Sequence, residues 1–315
     1  MKTRNFIQLT VIAVTALTFA FTSCKKDDLS SGQSDPASIV QLTTDENNVD
    51  GIMNDAASDV ESLLSLGSGF KSSEVWRPCH GTVDSTSIVN DTITFYITYD
   101  GLNCRGNLIW TGKIEIKRKV GVRWYQPGAA VVFKYINLNV TRVNSNKSIT
   151  LNGTKTFTNV NGGLRWQVGT LITSYVETVR GSMQASFENE TSRTWNVARK
   201  FTYTGTQGHL VMTVDGFGSA DGTNGGYTNL VVWGTNRQGE TFYTQITQSI
   251  VHKQVCDFKP CSGIKIHQIP SKNMSATVTF GYDDNNQPVQ GDACPTKFRV
   301  DWQRNNASGT AYYPL

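Results

Sequence analysis

The chain has 315 residues, of which 38% are apolar and 17% charged, so a mostly disordered chain, a collagen, a coiled coil and a multi-span membrane protein are excluded. Its 29 Lys and Arg stand against 25 Asp and Glu; the net charge of +4 falls to +2 if the first 23 residues, with Lys2 and Arg4, are removed. So small a charge gives no reason to expect a nucleic-acid partner.

Residues 1–23 read as an export signal: Lys2 and Arg4 open it, residues 6–21 carry no charge, and the small residues Thr22 and Ser23 precede Cys24. A spanning helix is the competing reading, but four Thr and one Gln dilute the uncharged window 5–24. The start resembles a bacterial lipoprotein signal, in which the cysteine is acylated and becomes the first residue of the mature chain. The resemblance implies lipidation at Cys24, with palmitate-type chains holding the protein to a membrane. Phe21 stands where that signal usually has Leu. Residues 24–40 are expected to form a flexible tether rich in Ser, Asp and Gly. Within it, Lys26-Asp27-Asp28 resembles the Lys-acidic-acidic export tag of surface lipoproteins in Bacteroidota.

A helix is expected within residues 41–69. Val49, Ile52, Met53, Ala56, Val60, Leu63 and Leu64 recur at spacings of three and four, and Gly67-Ser68-Gly69 ends the pattern. Its acids, Asp45, Glu46, Asp50, Asp55, Asp59 and Glu61, have no basic partner within the segment. That argues against a membrane-surface helix and for a lid or spacer packed on one edge of a sheet.

From residue 70 to 315 the period becomes two. Ile93, Phe95, Ile97 and Tyr99 alternate with polar neighbours; so do Ile114 and Ile116, the row from Phe242 to Ile250, Val278 with Phe280, and Phe298 with Val300. Strict alternation predicts an all-β, antiparallel domain of about a dozen strands, as a sandwich, barrel or meander. Gly and Asn clusters such as Asn161-Gly162-Gly163 supply the hairpin turns. The apolar phase slips between Val131 and Val140, which predicts a β-bulge. Two hairpin units, near 76–118 and 258–303, resemble each other: Trp76-Arg77-Pro78-Cys79 matches Phe258-Lys259-Pro260-Cys261, and each unit continues to a Tyr-Asp pair and a further cysteine.

An exported chain favours disulfides. The repeat suggests Cys79–Cys104 and Cys261–Cys294, with Cys256 as the alternative partner of Cys294. Zinc at Cys256, Cys261, His252 and His267 lacks a second close ligand pair. His267, alternating with Ile264 and Ile266, is expected to face solvent. Glu188 and Glu190 would share a strand face, but their polar neighbours suggest a turn rather than a glycosidase pair. Residues 215–224 are expected to be a flexible loop, lacking the acid spacing of an EF-hand. No P-loop, dinucleotide fingerprint or nucleophile elbow occurs, so neither a cofactor nor a catalytic residue is assigned. Of the aromatics, Trp110, Trp166, Trp233 and Trp302 are expected in the core or in cross-strand pairs. Trp124 and Tyr125, in a polar stretch, are the candidate glycan contacts.

The signal-like start, the tether, the Thr/Asn/Gly-rich strands, Trp233-Gly234-Thr235-Asn236-Arg237-Gln238-Gly239 and Thr191-Ser192-Arg193-Thr194-Trp195 together resemble all-β lipoproteins of the Bacteroidota cell envelope. The resemblance implies a lipid-anchored, surface-exposed outer-membrane protein. Its expected role is non-enzymatic, structural or interaction-based, with another envelope protein or a glycan as partner. Glycan binding through exposed aromatics is the alternative, and a hydrolase the third reading.

Overall fold

A computed structural model describes residues 37–65, 81–85, 88–188, 191–222 and 226–315. The export signal, Cys24, Cys79 and Glu190 lie outside the described residues, as do the first elements of the hairpin unit at 76–80.

One helix, α1 (Ala37–Ser65), precedes the sheet. It starts earlier than the apolar pattern suggests, so residues 37–40 of the expected tether are helical. Leu42 is buried, and it extends the stripe of Val49, Ile52, Met53, Ala56, Val60, Leu63 and Leu64 by two turns. Among the described residues no helix is long and apolar enough to cross a membrane.

The strands follow as consecutive hairpins. β1 (Gly81–Ser85), β2 (Thr92–Leu102), β3 (Leu108–Lys119), β4 (Ala129–Arg142), β5 (Ser148–Asn159), β6 (Tyr175–Phe187) and β7 (Ser192–Thr206) pair in chain order, all antiparallel. β8 (His209–Gly216), β9 (Gly218–Ala220) and β10 (Tyr227–Thr235) come next. The run closes with β11 (Thr241–Lys253), β12 (Pro260–Ile269), β13 (Met274–Tyr282), β14 (Lys297–Arg304) and β15 (Ala307–Pro314). The path is thus a meander with one irregularity. β8 and β10 share the lane between β7 and β11 end to end: β8 pairs with residues 199–206 of β7, and β10 with residues 194–197. The two related hairpin units fall near opposite ends of this path. The segment 215–224 is not simply a loop, because Asp215 belongs to β8 and accepts the Ser249 hydroxyl, while residues 218–220 form β9.

The phase slip in β4 is a register shift. Phe133 and Tyr135 point inward, the pairing jumps between Tyr135 and Leu138, and Leu138 and Val140 then point inward. Asn137 takes φ 47° there, and its carbonyl oxygen would lie 2.1 Å from a Cβ at Gly112 (φ +100°), so only glycine allows β3 to pass the bulge.

The helix lies against the sheet's face, not its edge. Asn48 accepts a hydrogen bond from Arg142 of β4, and Thr43 meets His267 of β12. Those strands are six spacings apart in the sheet, about 29 Å if it were flat. The two helical residues are five apart, about 7.5 Å along the axis. The sheet therefore curls around α1. One continuous core joins the helical stripe to the inward residues of the strands, Ile97, Ile114, Phe133, Val197 and Phe242 among them. Each such side chain contributes about 1.5–3 kcal/mol by burial.

Candidate ligand cavity beneath the helix

The stripe of α1 contains acids as well as alkyl groups. Leu42, Asp45, Glu46 and Val49 stand at spacings of three, four and seven, so Asp45 and Glu46 face the sheet and are buried. The basic partners missing from the helix come from the strands. Arg237, in the β10–β11 turn, grips Asp45 with Nε and Nη2 at 2.7 and 2.6 Å while its guanidinium covers the Phe187 ring. Glu46 receives the Lys265 ammonium at 3.2 Å on Oε2 and the Thr244 hydroxyl at 2.8 Å on Oε1. Burial alone would raise the Glu46 pKa, but the Lys265 and Arg193 cations and the Thr244 hydrogen bond outweigh it and hold the group at about 2.

His267 is fully buried, which corrects the expectation of a solvent-facing residue. The curl brings its strand face under the helix. Its Nδ1 lies 2.9 Å from the Thr244 hydroxyl and its Nε2 3.3 Å from the Thr43 hydroxyl. Burial presses its pKa down to about 4, against the pull of Glu46, so the ring is neutral at physiological pH. At the far end of α1, Tyr99 donates to Asp59 at 3.0 Å; burial lifts Asp59 to about 6, with Asp55 adding to the rise.

Beside this polar latch is a cavity of about 320 Å³. Phe201, Met212, Val214, Val231, Ile246 and Ile250 give it an apolar wall drawn from four strands. Its charged groups are Arg199, Lys259, Lys265 and a single carboxylate, Glu46, which already holds Lys265. Lys259 is exposed and marks the mouth, with His252, Pro260 and Leu315 nearby in the lining. On the helical side Glu46 is joined in the lining by Gly51, which is exposed, and a Cβ at Gly51 would meet nothing within 4 Å. A mid-helix glycine costs about 1 kcal/mol relative to alanine. Here its lack of a side chain leaves the mouth clear.

The remaining predicted residues fall elsewhere. Trp124 is 5% exposed and Tyr125 54%, so the expected glycan pair is split. Asn159 reaches back to donate to the Trp124 carbonyl and fixes the turn with the indole inside. Trp166, expected in the core or in a cross-strand pair, is 63% exposed because it sits in the long β5–β6 connection. Cys294 bonds Cys256, not Cys261: a 3-10 turn at Gln254–Cys256 aims that sulfur at the 291–294 segment, which Lys253 also holds through the Gly291 carbonyl. Cys261 is left as a free thiol on β12, directed at the Lys259 carbonyl. Cys104 is disulfide-bonded, and its expected partner Cys79 lies outside the described residues. His252 contacts the Phe258 carbonyl at 2.8 Å, and Glu188 lies in the turn after β6. Glu46, Lys265 and Thr244 were not assigned from the sequence.

No family model matches the chain, and no curated protein or solved structure matches it either.

Proposed function

We propose that this chain is a lipid-anchored envelope protein of the outer membrane that acts by binding rather than catalysis, and that the ligand of its cavity is a small anionic amphiphile. The carrying observation is the cavity's composition: an apolar wall with the Lys259 ammonium at its mouth. An alkyl chain covers the wall, and its acidic head meets the Lys259 ammonium. A neutral molecule of the same length offers that ammonium no countercharge.

Decanoate is expected to bind the full chain saturably by titration calorimetry, at least tenfold tighter than decanol. Gly51→Leu places an alkyl group at the mouth, with room for its Cβ, and is expected to weaken decanoate at least tenfold, whereas Gly51→Ala retains it. Equal affinity of Gly51→Leu and wild type removes the cavity as the binding site.

The anchor rests on the sequence. Cys24→Ala is expected to abolish incorporation of labelled palmitate in a lipoprotein-processing host; undiminished labelling rejects acylation at Cys24. The split of Trp124 from Tyr125 takes away the aromatic pair on which glycan binding was expected, and nothing in the geometry of that turn favours it.

A further inference from the structure

A second hollow, about 370 Å³, lies on the outer face of the sheet, and its chemistry is unlike that of the cavity. The register builds it. Tyr243 pairs with Gln268, Gln268 with Ser275, and Ser275 with Gln303, so these four side chains form one transverse row across β11 to β14. Their chain neighbours Phe242, Thr244, His267, Ile269 and Ala276 are buried, which sets the row on the opposite, outward face. The row ends on a stacked pair: the Tyr227 ring lies 3.9 Å from that of Tyr243 at an interplanar angle of 17°. The turn residues Asn273 and Asn305, joined by a 3.3 Å amide hydrogen bond, bound the other side.

The lining contains no acid and no base, only amides, a hydroxyl, a tyrosine and two apolar residues of the turn region. Among the described residues the side chains of Ser275 and Gln303 make no hydrogen bond to the protein, so their donors and acceptors are available to a ligand. An anionic ligand finds no cation here, and a purely apolar one would leave the amides unmatched. A sugar satisfies both features: its hydroxyls donate and accept in equal measure, and its C–H face lies on a tyrosine ring that Tyr243 holds in place. We infer that this row is a binding site for a neutral carbohydrate, separate from the cavity and independent of its ligand.

The test is a glycan array carrying neutral and anionic oligosaccharides, probed with the full chain, with titration calorimetry on the best neutral glycan. A neutral glycan is expected to be retained. Tyr227→Ala is expected to lower its affinity at least tenfold and the exposed Gln303→Ala severalfold, while Gly51→Leu leaves it unchanged. Retention of no neutral glycan overturns the site. So does wild-type affinity in both Tyr227→Ala and Gln303→Ala, and a loss in Gly51→Leu would move the sugar to the cavity and overturn it equally.

Discussion

Glu46→Leu is expected to destabilise the protein by about 3–5 kcal/mol, because it strands the Lys265 ammonium beneath the helix. The loss arises less from the attraction forgone than from a buried charge left without its counterpart. It follows that removing both charges costs far less: Glu46→Leu with Lys265→Met is expected to recover most of the stability, since apolar pairs often replace buried ion pairs at no net loss. Urea unfolding of the full chain, read by circular dichroism, measures both. A single variant within 1 kcal/mol of wild type would show that this carboxylate does not fasten the helix.

Acid should loosen the same contact through His267. Its pKa is about 4 in the folded chain against 6.5 when unfolded, so the unfolded chain binds more protons between those values. The associated stability is complete above pH 6.5 and is lost as pH falls towards 4, on the order of 3 kcal/mol at 1.36 kcal/mol per unit. Asp59 works the other way. Its folded pKa of about 6 exceeds the unfolded 3.8, so its contribution grows as pH falls through the same window and offsets part of the loss. Glu46 enters only below its unfolded 4.5, its stabilisation being lost as pH drops towards about 2. Thermal melts at pH 7, 5.5 and 4 separate these terms: His267→Gln is expected to flatten the decline and Asp59→Asn to steepen it. Parallel profiles for His267→Gln and wild type would discard the histidine as the acid-sensitive group.

The alternation of apolar residues was enough to read the antiparallel sheet, its hairpins and even the slip in β4, because a strand's period is a local property. The helical stripe was legible for the same reason. What the helix's own sequence does not show is where the partners of Asp45 and Glu46 lie. Both acids occupy stripe positions with Leu42 and Val49, and only partners some two hundred residues away make burying them tolerable. His267 was assigned to solvent because alternation separates two faces of a strand without saying which one a curled sheet turns inward. The choice between Cys256 and Cys261 was settled by a single 3-10 turn, and Trp124 by one asparagine, neither of which leaves a periodic trace.

The seating of α1 has a consequence for how the molecule is put together. Most strands pair with the next one in the chain, whereas Thr43 and Glu46 meet their partners at sequence separations of 224 and 219. A chain that emerges from its N-terminus therefore presents its greasy helix first and the seat for it almost last. Closure of the core must wait for β12, late in synthesis or export, which makes completion of the C-terminal third the checkpoint of assembly.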